Sequence, residues 1–160
     1  TEDEKRFYTW TLQSHIDLAK AVWLDYCECK MIDTIAREPL WRHLINYRCG
    51  TGHSVSFVGN VHEGPHALNG RNTTLMRPGM IVTDEPGVYE TDLVGIRIEN
   101  ELVCVHKADN QYGTFLGFEP IMFVPIATSP IVPGVLTKDE LDWLNNYHRR
   151  LAEKCAAIGC

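Results

Sequence analysis

No apolar run in this sequence approaches the roughly 20 residues that a membrane-spanning helix needs, and the opening Thr1-Glu2-Asp3-Glu4-Lys5-Arg6 lacks the character of a secretory signal. A membrane partner is therefore not expected, and the expected compartment is cytoplasmic. Basic clusters are missing too: nothing longer than Arg149-Arg150 occurs, and the net charge is −6. Nucleic-acid affinity rests on basic side chains that displace counterions from phosphates, so nucleic acid is not an expected partner. There is also no internal repeat and no low-complexity tract. Only residues 128–134, with two prolines, must be loop.

What is present is an ordinary globular composition, 44 % apolar and 22 % charged in 160 residues. One domain of that length buries about two thirds of its unfolded surface without covalent staples. The six cysteines, Cys27, Cys29, Cys49, Cys104, Cys155 and Cys160, stand at irregular spacings and are read as reduced. The chain opens at Thr1 without an initiator methionine, directly in helix-like sequence, which suggests a piece of something longer.

Over residues 4–23, Tyr8, Leu12, Ile16, Ala19 and Trp23 recur at three- and four-residue steps and predict one helical stripe. A second helix is expected over 31–38, with Ile32, Ile35 and Ala36 inward and Pro39 breaking or restarting it. Beyond Gly50-Thr51-Gly52 the pattern turns to short β-type runs at 54–58, 80–85, 94–99, 101–106 and 114–125, separated by Arg77-Pro78-Gly79, Pro86-Gly87 and Asp109-Asn110. Thr137-Lys138-Asp139-Glu140 is a capping box, after which Leu141, Leu144, His148, Leu151 and Cys155 continue a helix. The expectation is an α+β chain, mainly antiparallel sheet, with two N-terminal helices and one C-terminal helix.

Alternation along 94–99 places Val94, Ile96 and Ile98 on one face and Arg97 with Glu99 on the other. In the strand at 81–85, Ile81, Thr83 and Glu85 share a face opposite Val82 and Asp84. Glu85 and Glu99, joined by the 86–92 connection, are spaced for an adjacent antiparallel pair whose carboxylates meet. Hard divalent cations take carboxylate oxygens, and a neighbouring imidazole, from His53 or His62, moves the choice toward first-row transition metals. On these residues alone, a hydrogen-bonded structural or loop histidine is the readier reading for each.

Four motifs in order carry more: Gly50-Thr51-Gly52-His53, Asn60-Val61-His62-Glu63-Gly64-Pro65, Thr83-Asp84-Glu85-Pro86-Gly87-Val88-Tyr89 and Gly95-Ile96-Arg97-Ile98-Glu99-Asn100. Together they resemble the successive motifs of the aminopeptidase P (Xaa-Pro aminopeptidase) family. Phe118-Glu119-Pro120, Val124-Pro125-Ile126 and Leu141 to His148 are similar to the tail of its larger members. The resemblance implies a pita-bread metallopeptidase fold, of which residues 1–160 are the C-terminal part of the catalytic domain. It implies that His53 and Glu85 bind one metal and Glu99 bridges two, that His62 contacts substrate near the scissile bond, and that Arg97 supports the ligand shell. The cofactor implied is a pair of divalent ions, manganese first and zinc or cobalt next. The substrates implied are peptides with proline in second position, hydrolysed by a metal-bridging water that loses a proton more readily between two cations. Glu85 is either that proton's acceptor or a ligand only.

The sequence also departs from the family pattern. An Asp-Ser-Gly-like and a Thr-Thr-Asp-like motif, which supply two further aspartate ligands in the family, are not in this chain. With one protein ligand for the second metal, the isolated chain is expected to be inactive. The missing strands are expected to leave an open edge that favours a homo-oligomer. Ser54-Val55-Ser56 replaces glycine-rich sequence, and Cys27-Glu28-Cys29 stands where a glycine-containing turn is expected. Two alternatives remain at this stage: a non-catalytic pita-bread protein-binding module, and a structural zinc site from Cys27, Cys29, Cys49 and His53. The other histidines and the tryptophans are read as packing or surface residues, and Glu119 as a buried hydrogen-bonded acid.

Overall fold

Thr1 starts the first helix because its hydroxyl accepts from the Glu4 amide while the Glu4 carboxylate reaches back to the Thr1 nitrogen, so two orphan donors are satisfied at once. The computed structural model describes residues 1–159. In chain order it contains α1 (Glu2–Ala19), β1 (Val22–Leu24), α2 (Cys29–Trp41), β2 (Gly52–His53), β3 (Ala67–Leu68), β4 (Ile81–Asp84), β5 (Gly87–Glu90), β6 (Val94–Arg97), β7 (Asn100–Asn110), β8 (Gly113–Pro120) and α3 (Lys138–Ile158). Thr137 and Glu140 repeat the reciprocal cap at the start of α3.

The main sheet is antiparallel, in the order β1-β8-β7-β4, and two smaller antiparallel pairs, β2-β3 and β5-β6, flank it. Leu18, Ile32, Ala36, Leu68, Met76, Val82, Leu102, Leu116 and Phe118 form the core between α1, α2 and the sheet. Each fully buried aliphatic side chain there contributes on the order of 2 kcal/mol of transfer free energy. A second cluster, Leu12, Ile16, Ile98, Leu136 and Leu144, seats α3 against α1 and the end of β6. The expected α+β arrangement, with two helices before the sheet and one after it, is the one found.

Several boundaries differ from the sequence reading. The Ala21 amide bonds Leu18 O and closes α1, so Trp23, read as the end of the helical stripe, lies in β1 opposite Leu116. Pro39 does not break α2. The helix continues to Trp41 with the Arg42 amide bonded to Glu38 O, because the proline ring is buried and packing outweighs the lost donor. The strand expected at 54–58 reduces to Gly52–His53 plus a bridge from Ser54 to Val82, and Phe57 and Val58 stand fully exposed. β8 stops at Pro120 rather than running to 125. Glu119, read as buried, is exposed and lies 3.5 Å from Lys107.

Candidate active site

Gly52 lies against β4 so closely that a Cβ there would fall 1.8 Å from the Thr83 carbonyl oxygen. Only glycine permits that approach, and it delivers the next residue, His53, to the end of β4. The His53 amide donates to Thr83 Oγ1 at 2.9 Å, and the Thr83 hydroxyl donates to Glu85 Oε1 at 2.9 Å. His53 Nε2 is 3.0 Å from the same Glu85 oxygen. His53 Nδ1 is 3.0 Å from Ser54 O, so the two ring nitrogens face two different oxygens, a backbone carbonyl and the Glu85 carboxylate, and the ring is oriented by both.

The other Glu85 oxygen receives a hydrogen bond from Arg97 Nη1, and Arg97 Nε donates to the Tyr89 hydroxyl at 2.8 Å. Gly87 makes room for this: a Cβ there would meet Arg97 Nε at 2.8 Å. Burial pulls the guanidinium pKa down, but the Tyr89 hydrogen bond and the Glu85 charge outweigh it, so Arg97 is held above its ordinary value. The His62 ring lies tilted by 52° against the His53 ring, centroids 3.9 Å apart, and is exposed. His53, His62, Glu85 and Arg97 thus line one cavity of about 270 Å³, together with Cys49, Gly50, Gly52, Ala67 and Asn69.

Glu99 is not in that cavity. It lines a neighbouring one of about 280 Å³ with Tyr8, Ile98 and 124–127, and Arg97 borders both. The single antiparallel pair expected to join Glu85 to Glu99 is two ladders instead. β4 pairs with β7, with Asp84 opposite Asn100, while β5 pairs with β6, with Gly87 opposite Arg97. The two acids sit where these ladders part. Reasoning from sequence assigned no part in the site to Thr83, Tyr89 or Asn69, and named Cys49 only in the zinc alternative. The alternation that put Thr83 on the Glu85 face was the available signal for the first of them.

Directly beneath, Asp84 is fully buried, and its Oδ2 lies 3.1 Å from Nδ1 of the equally buried His15, read from sequence as a core-edge residue. The contact is close but poorly directed, so neither carboxylate oxygen receives a hydrogen bond. Burial pushes the Asp84 carboxyl above the usual range, and the His15 contact offsets this only in part.

Among the described residues no three His, Cys, Asp or Glu side chains converge to hold a metal ion. His53 and Glu85 offer two donors of the right chemistry, a neutral imidazole nitrogen and a carboxylate oxygen, and two donors do not close a site. The residues of this chain alone therefore do not fit a metal centre. The cysteine-based zinc alternative fails on the same ground, with Cys29 packed into the apolar core.

A curled antiparallel sheet backed by helices, with an imidazole from β2 and a carboxylate from just past β4 brought to one cavity, is the pita-bread class of metallopeptidase fold. Residues 1–106 match the model of metallopeptidase family M24, and residues 114–158 match the C-terminal region of peptidase M24. The chain belongs to metallopeptidase family M24. It is 44 % identical to aminopeptidase P2 of Arabidopsis thaliana, over 97 % of this chain and 22 % of that protein. Aminopeptidase P1 of Lotus japonicus is 43 % identical over 92 % of this chain and 23 % of its own length. The X-prolyl aminopeptidase of Caenorhabditis elegans, described as a cytosolic enzyme with a di-nuclear active site, superposes with a TM-score of 0.89 at 34 % identity. That superposition covers 99 % of this chain and 27 % of that one. The chain thus spans about a quarter of the length of these relatives.

Proposed function

We propose that this chain is the C-terminal part of the catalytic domain of a metal-dependent aminopeptidase. That enzyme releases the N-terminal residue from peptides with proline in second position, in the cytoplasm. The observation that carries the reading is the convergence of His53, Glu85, His62 and Arg97 on one cavity, in a chain whose relatives are named aminopeptidases P. His53 and Glu85 are assigned as ligands of one divalent ion and Glu99 as the residue shared between two. Manganese is the first choice of metal, zinc or cobalt the next. Ligands outside this chain complete the centre, because two converging donors are too few.

The chain's own residues have separate tasks. The Ser54 carbonyl orients the His53 ring through Nδ1. Thr83 and Arg97 hold the two Glu85 oxygens apart and oriented. His62, exposed beside His53, is placed to donate a proton or hydrogen bond to negative charge developing on a substrate carbonyl oxygen. Leu44, Phe57, Val58 and Val61 are exposed apolar residues, which supports self-association of the isolated chain.

Calorimetric titration of manganese into the chain, in parallel with hydrolysis of an Xaa-Pro peptide, tests the reading. The expected result is no tight two-ion binding and no cleavage. Stoichiometric binding of two ions with turnover would mean that this chain holds a complete centre and would overturn the partial-site assignment.

A further inference from the structure

Four buried polar side chains outside the cavity form one directional hydrogen-bond chain that ends on the cavity's backbone. Arg37 Nε donates to Asp33 Oδ2 at 2.8 Å, the Thr51 hydroxyl donates to Asp33 Oδ1, and the Tyr47 hydroxyl, 2.5 Å from Thr51 Oγ1, donates to Thr51 in turn. The remaining Arg37 donors bind Asn46 Oδ1, Tyr47 O and Cys49 O at 3.1, 2.8 and 3.0 Å. The guanidinium also lies over the Tyr47 ring at 4.2 Å. Asp33, Tyr47 and Thr51 are 1 %, 2 % and 0 % exposed. Burial raises the Tyr47 phenol well above its ordinary value, in keeping with its role as a donor.

Thr51 is the hub of this assembly, since all three of its polar groups are bonded and each goes to a different element. Its amide donates to Leu68 O on β3 at 2.8 Å, its carbonyl accepts from the Glu85 amide at 2.8 Å, and its hydroxyl joins Asp33 on α2 to Tyr47. Two residues later the His53 amide reaches Thr83 Oγ1. A residue so tied fixes where the backbone of Glu85 lies relative to that of His53. None of the four side chains is among those lining the His53–Glu85 cavity, although Asp33, Arg37 and Tyr47 border other cavities, so they reach the His53–Glu85 pair through the backbone of Thr51 rather than by facing it.

From this geometry we propose that Thr51, held by Asp33, Arg37 and Tyr47, is a positioning residue that sets the His53–Glu85 pair in register. This rests on the assignment of His53 and Glu85 as ligands. The test needs neither metal nor peptide, so its outcome is independent of whether the hydrolase assignment holds.

Amide hydrogen exchange is compared among the parent chain, Thr51→Val, which keeps shape and loses the hydroxyl, and Thr51→Ser, which restores it. In Thr51→Val, exchange at the His53 and Glu85 amides is expected to rise about tenfold or more while the β7-β8 ladder stays within about twofold, because local opening and global unfolding are separable. Thr51→Ser is expected to return both amides to within about threefold of the parent. If Thr51→Val does not fold, Tyr47→Phe removes a single donor to Thr51 and is read the same way. A uniform change across all amides in the variant that folds, or unchanged exchange at His53 and Glu85, would overturn the proposal.

Discussion

Arg97 joins two functions in one side chain: it neutralises Glu85 through Nη1 and anchors itself on Tyr89 through Nε. Glu85 is only 14 % exposed, and three groups touch its carboxylate, Arg97, His53 and Thr83. Replacing Arg97→Met removes the one permanent cation and leaves a mostly buried carboxylate short of a partner. The expected cost is about 1–2 kcal/mol of unfolding free energy, in the range for a charge-assisted bond lost from a partly buried acid. It is read from urea denaturation, and an unchanged midpoint would show that the pair contributes nothing. At this scale the chemistry-bearing residues were legible because Gly50-Thr51-Gly52-His53 and Glu85-Pro86-Gly87 are motifs with backbone reasons for their glycines. The part of Tyr89, which anchors Arg97, and that of Asn69, which lines the cavity, were not legible, because nothing in their spacing says that they reach the site.

The helices were legible as elements by their apolar period, the Tyr8, Leu12 and Ile16 stripe in α1 and the Ile32 and Ala36 stripe in α2, and for α3 also by the capping box at Thr137. Strands were less so. β5 follows Pro86-Gly87, which reads as a turn, yet Gly87 itself is the first paired residue, opposite Arg97. Residues 54–58 alternate like a strand but pair only through Ser54. Alternation reports a possible face, whereas a strand needs a partner, and partners are set by tertiary structure.

On α1, Asp17 carries a cost of its own. Burial, and then the charge of Glu140, raises its carboxyl above the 3.8 of a free aspartate, with Lys20 and Arg42 partly offsetting this. A raised folded-state pKa means that the folded chain binds this proton more tightly than the unfolded chain. The associated stability is therefore present below about pH 3.8 and lost as pH rises through the folded value. Asp17→Asn is expected to stabilise the chain at pH 7 by about 0.5 kcal/mol, discounted for partial exposure, with the gain vanishing by about pH 3. Thermal unfolding of both forms across that range checks the sign, and a gain that grew toward low pH would contradict it.

As a whole, the molecule has a covered side and an uncovered one. Its sheet and helices share two apolar clusters, while Leu44, Phe57, Val58 and Val61 project fully or mostly into solvent around the loops flanking the cavity. The loop after β2 carries His62, Glu63 and His66, yet among the described residues no three His, Cys, Asp or Glu side chains converge to hold a metal ion. A chain that spans about a quarter of its relatives, with His53 and Glu85 as two converging donors, is read under the function proposed above as one part of a larger site.

The most direct measurement is Xaa-Pro peptide hydrolysis by a chimera. In it, this chain replaces the matching stretch of the Arabidopsis aminopeptidase P2, with His53→Ala and Glu85→Ala versions alongside and the isolated chain as reference. The predicted result is manganese-dependent cleavage by the chimera, a fall of about a hundredfold or more in each alanine version, in the range for loss of a group acting in the transition state, and none by the isolated chain. A well-folded chimera that does not cleave, or that cleaves equally without His53 and Glu85, would contradict the assignment of this chain as the ligand-bearing part of the enzyme.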